Sequence, residues 1–192
     1  MSFLGIKIPN ECGRLLSTLD VAGEKESPSS YHITLLHFED NFPIPEIAKA
    51  LETTYDIISK IKPFTITVNT IGCFKPKEDK PVPIIAKIKS DDLSNLRKKL
   101  ADAFDKCNID FSKRFPDFKP HITLSYADEL VDDYKIDSLD IAINEVVLWG
   151  GNNGEDRVFI TFPFKISEEE KQKHSSLLNK IDIFYKLASI LH

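Results

Sequence analysis

The sequence predicts an α+β protein built as two related lobes, and three observations carry that expectation. β-forming stretches and helical stripes alternate along the chain in the order β, β, α, β, β, α, β, β, β. The tetrapeptide His-Ile-Thr-Leu occurs twice, at residues 32–35 and 121–124. A second echo follows each copy: residues 66–74 line up with 141–149, matching apolar positions, an Asn and a closing aromatic, and each is followed by a loop and a further β-rich stretch, 82–88 and 157–163. Repetition on this scale is the mark of a duplicated structural unit. A pseudo-twofold axis between the units would set equivalent residues face to face.

Taken in order, residues 2–8 form a short strand, and 31–38, rich in β-formers after the turn-like Glu-Ser-Pro-Ser-Ser, form a second. Beyond Pro43 and Pro45, the helical spacing of Ile47, Leu51, Tyr55, Ile58 and Ile61 predicts a helix of about four turns. Phe64-Thr-Ile-Thr-Val alternates as a strand, and 83–88 is its expected hairpin partner across a Lys-rich loop. Leu93, Leu96, Leu100, Ala103, Phe104 and Cys107 mark a second helix. Residues 119–126, 139–149 and 156–164 read as three more strands, the last two joined by the turn at 150–154. One domain, 1–165, should hold both lobes. Residues 166–192 then begin with the capping box Ser-Glu-Glu-Glu and continue with a broad apolar face, a C-terminal amphipathic helix outside the repeat. Packing on the sheet is its expected role, with self-association the alternative.

Bulk properties narrow the function. The 192 residues, 42% hydrophobic and 29% charged, suit an ordinary globular unit, and no apolar run approaches membrane-spanning length. The start carries neither a basic leader nor a long apolar segment, so the cytoplasm is the expected compartment, or the host cytoplasm for a viral protein. Cys12, Cys73 and Cys107 are odd in number and widely spaced, as packing residues would be. A net charge of −5 argues against long duplex nucleic acid as a partner, because such binding depends on many phosphate contacts. It leaves room for a small phosphate ligand in a locally basic cleft. Lys75, Lys77 and Lys80 in one loop, and Lys113 and Arg114 before the second motif, read as solvated charges.

On a strand, His32 and Thr34 point one way while Ile33 and Leu35 point the other, and His121 and Thr123 repeat the arrangement. A lone His-x-Thr is usually an ordinary hydrogen-bonded pair. Two copies at matching places in a repeat point instead to chemistry. Cleaving a phosphodiester requires one group to deprotonate the attacking hydroxyl or water and another to protonate the leaving oxygen, and two imidazoles can do both near neutral pH. Thr34 and Thr123 would supply fixed donors to the phosphoryl oxygens. Lys119, two residues before His121 and held extended by Pro120, should add a cation on the same face, with Ser30 its counterpart in the first motif. The chain has no His-x-His-x-His, no Gly-rich phosphate loop and no His/Asp cluster at metal-ligand spacing, so no metal and no cofactor is expected. A regular strand would place His37 on the opposite face from His32, and Tyr126 with Ile122 and Leu124 in the core; both are read as structural. Arg157 reads as a surface residue, and His174 and His192 carry no partner signal.

With its paired motifs Tyr31-His-Ile-Thr-Leu and Pro120-His-Ile-Thr-Leu, the chain resembles, over about residues 1–165, the two-histidine phosphoesterase superfamily, also called the LigT-like or RNA-ligase/cyclic-phosphodiesterase fold. That resemblance implies two pseudo-symmetric antiparallel-sheet lobes with outer helices and a central cleft, with His32 and His121 as the acid–base pair and Thr34 and Thr123 as phosphate ligands. It leaves open which histidine is the base. Members act on 2′,3′-cyclic phosphates, 2′,5′-linked oligoadenylates, RNA 3′ ends and, in certain phages, the cyclic oligonucleotide messengers of CBASS immunity. The small, acidic chain favours a short or cyclic oligonucleotide. Phe74 and Trp149, at equivalent strand ends, could each stack a base, a contact worth about 1–3 kcal/mol, or could be core aromatics. The alternatives are a module that binds a nucleotide messenger without turnover, and an RNA 3′-end processing enzyme.

Overall fold

The computed structural model describes residues 2–38, 44–75, 80–114, 116–150 and 157–164. Among the described residues, nine strands form two antiparallel sheets. The chain runs β1 (Ser2–Lys7), α1 (Asn10–Ser17), β2 (Glu24–Lys25), a 3-10 turn (Pro28–Ser30), β3 (His32–His37), α2 (Ile44–Ile58), β4 (Phe64–Cys73), β5 (Val82–Ile88), α3 (Asp91–Lys106), β6 (His121–Ala127), β7 (Tyr134–Ile143), β8 (Glu145–Gly150) and β9 (Arg157–Pro163). One sheet has the order β3-β1-β8-β9 and the other β2-β6-β5-β4-β7. Among the described residues, no helix is long and apolar enough to cross a membrane. The C-terminal helix expected over 166–192, with His174 and His192, lies outside the described residues.

Setting aside the two-residue β2, the sheets have the same plan. A motif strand, β3 or β6, lies beside the strand that precedes it, β1 or β5, and then beside a strand drawn from the other half of the chain, β8 or β4. Neither sheet is therefore built from one half alone. The positions also correct one equivalence expected from sequence: β5 occupies the place of β1, and β9 the outer place of β7, so 82–88 and 157–163 are not counterparts. The equivalence of Phe74 and Trp149 holds. Trp149 pairs with Phe3 on β1, and the Phe74 amide bonds the carbonyl of Pro83 on β5, one layer beyond the Cys73–Ile84 pair.

The stretch expected as one strand, 139–149, is two strands in different sheets. Ile141 and Ile143 are buried from β7, whereas β8 buries both faces, Val146 and Leu148 in the main core and Val147 and Trp149 on the other side. A single apolar run thus conceals a change of sheet at Asn144, whose carbonyl accepts the Phe164 amide at 2.7 Å. Helix α1 was not expected. Of its eight residues only Gly13 and Leu16 are buried, and Leu15 is exposed, so it has no readable stripe. Helix α3 follows its pattern closely: Ser90 accepts the Leu93 amide as N-cap, and Leu93, Leu96, Leu100 and Phe104 are buried.

Candidate functional site

Each motif strand contains a β-bulge immediately after its threonine. On β3, Thr34 faces Gly5 and Leu36 faces Leu4, leaving Leu35 without a partner. On β6, Thr123 faces Ile85 and Ser125 faces Ile84, leaving Leu124 without one. An inserted residue reverses the alternation beyond it. His32 and Thr34 keep the orientation expected of them, but His37 now lies opposite Phe3, and Tyr126 opposite Pro83. Cross-strand partners share a face, so both residues lie on the motif face of their sheets. Tyr126 is accordingly 43% exposed and not part of the core, and His37 is half-buried.

The two histidines are held alike. The Nδ1–H of His32 donates to the Ser30 carbonyl at 2.7 Å, and that of His121 to the Lys119 carbonyl at 2.7 Å. A carbonyl can only accept, so each neutral ring carries its proton on Nδ1 and leaves the Nε2 lone pair free to take one. The residue two before each histidine thus serves through its backbone. Lys119 has an exposed side chain, and the Ser30 hydroxyl donates to Glu26 and to the Ser27 carbonyl. β3 lies alongside β6. Burial pushes the His121 pKa down; the bond to Lys119 opposes this, and the nearby His32 charge adds to it.

Their surroundings differ. Phe3 stacks on His32 with ring centres 4.7 Å apart and on Trp149 at 5.1 Å, while Trp149 lies 5.6 Å from His32. Trp149 is only 4% exposed, so in this conformation it packs against its neighbours. Phe74, half-buried, meets His121 edge-on at 4.7 Å. Sequence reasoning missed four charged or aromatic neighbours. Phe3 reaches His32 across Gly5, Lys7 is the cross-strand partner of His32, and Lys87 is that of His121. The Lys87 ammonium lies 2.6 Å from both carboxylate oxygens of Asp133, above Gly72. Strand parity would have found both lysines had the pairing of β1 with β3 and of β5 with β6 been known.

Lys113 is bonded to Asp105 and lies over the Phe111 ring, and Lys75 and Lys80 are exposed. Lys77 and the side chain of Arg157 lie outside the described residues. A cavity of ≈ 330 Å³, lined by Lys7, Asn10, Asn144 and Glu145 among others, opens where β7 passes to β8, and neither motif contributes to its walls.

A family model described as the 2'-5' RNA ligase superfamily matches residues 26–153, which include both motifs. The anti-CBASS protein Acb1 of Vibrio phage KVP40 is 27% identical over 167 residues, covering 79% of this chain and 92% of that protein. Among solved structures, TT0787 of Thermus thermophilus superposes with a TM-score of 0.73 at 18% identity, covering 85% of this chain and 97% of the other. E. coli LigT complexed with 3'-AMP gives a TM-score of 0.66 at 18% identity over 86% of this chain and 98% of that one. LigT is also known in complex with NADP+. At identities this low the superpositions show the shared fold alone.

Proposed function

The chain belongs to the 2'-5' RNA ligase superfamily, the two-histidine phosphoesterases, and on that premise we propose that it is a metal-independent phosphodiesterase acting on a short or cyclic oligonucleotide. The observation that carries this reading is the matched pair of Nδ1–carbonyl bonds, which presents two Nε2 atoms of defined tautomer on adjoining strands. One must remove a proton from the attacking hydroxyl, ribose 2′-OH or water, as the new P–O bond forms. The other must give a proton to the departing oxygen as the old P–O bond breaks. Because its pKa is pushed down, His121 stays neutral near pH 7 and suits the base, leaving His32 as the acid. Thr34 and Thr123, on the same faces as the histidines, would donate to the phosphoryl oxygens, and Lys119 would add charge at the cleft mouth. Phe74, edge-on to His121, would meet a base there; Trp149 would need Phe3 to move.

The likeness to a phage anti-CBASS protein supports a cyclic oligonucleotide immune messenger as the substrate. The test is to incubate the protein with EDTA and a panel of cyclic di- and trinucleotides, 2′,5′-oligoadenylate, 2′,3′-cyclic nucleotides and short RNA, alongside His32→Ala and His121→Ala. Cleavage of one class that survives EDTA and vanishes in both variants is expected. Tight retention of a nucleotide with no cleavage would replace the enzyme with a binding module.

A further inference from the structure

We propose that Tyr126 is the seat for one nucleoside of the substrate. This deepens the phosphodiesterase reading and rests on it. The bulge at Leu124 is what brings Tyr126 onto the face of His121 and Thr123. Its partner on β5 is Pro83, two residues along from Ile85, the partner of Thr123, so the two positions are ~7 Å apart along the sheet. That separation is about the reach of a ribose and base from a phosphate held at Thr123. An aromatic 43% exposed, flanked by a proline, offers a flat apolar surface of the kind on which bases stack.

Among the described residues, the other lobe shows no equivalent opening. The residue corresponding to Tyr126 is His37, and its layer is filled by Phe3 and Trp149, 7% and 4% exposed and stacked on each other. The protein's own rings thus occupy one side, and a base can enter on the other. Glu24 is the partner of Tyr126 on β2, exposed Asp128 and Glu129 follow β6, and exposed Lys80 lies just before Val82 and Pro83 on β5. Burial, and secondarily the charge of Glu26, raise the Tyr126 pKa, so the ring stays a neutral phenol. The rim thus carries charges of both signs around one exposed apolar ring, which suits the flat face of a base.

The experiment measures both binding and turnover for the full chain, Tyr126→Phe and Tyr126→Ala. Its probes are diadenosine monophosphate, a cyclic dinucleotide and inorganic phosphate. Tyr126→Ala should weaken diadenosine monophosphate binding about ten-fold and raise KM more than it lowers kcat. Tyr126→Phe should stay near wild type, and inorganic phosphate should bind all variants alike. Binding that depends on Tyr126 without turnover would remove the enzyme and keep the seat. Turnover or binding indifferent to Tyr126→Ala would remove the seat and keep the enzyme, and failure of both the linear and the cyclic dinucleotide to bind or react would overturn both.

Discussion

Gly5 and Gly72 stand on the motif faces of the two sheets, yet a methyl group added to each should have opposite consequences. At Gly5 a Cβ would lie 2.7 Å from the Ile33 carbonyl oxygen and 3.1 and 3.2 Å from Cε2 and Cδ2 of Phe3. The first of these is backbone of β3, between His32 and Thr34, and it has no rotamer with which to escape. Forcing extra volume into such a site costs about 1–3 kcal/mol, offset by about 0.4–1 kcal/mol from the lower freedom of the unfolded chain. At Gly72 the Cβ would overlap Asp133 Oδ1 and come within 2.8 Å of Lys87 Cε, both on partly exposed side chains that can swing away. The loss there is one surface ion pair, about 0.2–1 kcal/mol, which the same backbone term roughly cancels.

In a protein of this size 1 kcal/mol shifts Tm by about 2–4 °C. The central values leave Gly5→Ala about 1.3 kcal/mol less stable, so it should melt about 3–5 °C below wild type, and Gly72→Ala within about 2 °C of it, by circular dichroism or calorimetry. Equal losses in the two variants, or no loss in Gly5→Ala, would refute the argument that a backbone contact separates them. Gly5→Ala should also lower turnover in molecules that remain folded, because the displaced Phe3 ring is the one stacked on His32.

Three further outcomes follow from the site. With His121 as base and its pKa depressed, the acid limb of kcat/KM should fall below the ordinary imidazole value of about 6.5, since activity is lost only as the pH drops through the lowered pKa; a rate flat from about pH 5 to 9 would remove both imidazoles from the mechanism. Lys87→Met would leave the Asp133 carboxylate unneutralised near His121 and move that limb up, whereas Asp133→Asn would free the ammonium and move it down; shifts in one direction would show that the pair does not act on His121. Thr34→Val and Thr123→Val should each lower kcat about 10–100-fold with Tm almost unchanged, and full activity in both would take the hydroxyls off the phosphate.

Much of the fold could be read from the chain because its signals were local. His-Ile-Thr-Leu repeats letter for letter, and the echo ending in Phe74 and Trp149 proved to mark equivalent layers of the two sheets. What failed to show was non-local. The passage from β7 to β8 occurs within one apolar run, because β8 is covered on both faces and so lacks the alternation that would have announced a new strand. The bulges were hidden for a related reason: Leu35 and Leu124 are buried like Ile33 and Ile122, as regular alternation would have them, and only the register against β1 and β5 identifies them as inserted. One residue of slip changed the face of His37 and Tyr126, so a periodicity argument that was right as far as the threonines was wrong three positions later.

The duplication raises a problem that these departures from symmetry resolve. Identical motifs in identical surroundings would give two imidazoles of equal proton affinity, whereas the proposed reaction requires one to take a proton as the other gives one. The difference must come from outside the tetrapeptides. On one side it comes from Phe3 and Trp149 packed around His32; on the other, from burial of His121, the edge of Phe74, and a cross-strand lysine tied to Asp133. The same inequality closes one end of the cleft with the protein's own rings and leaves Tyr126 open at the other. In the proposed enzyme, the division of labour between the histidines and the side on which a base can enter thus have one origin, the unequal residues placed around an equal pair.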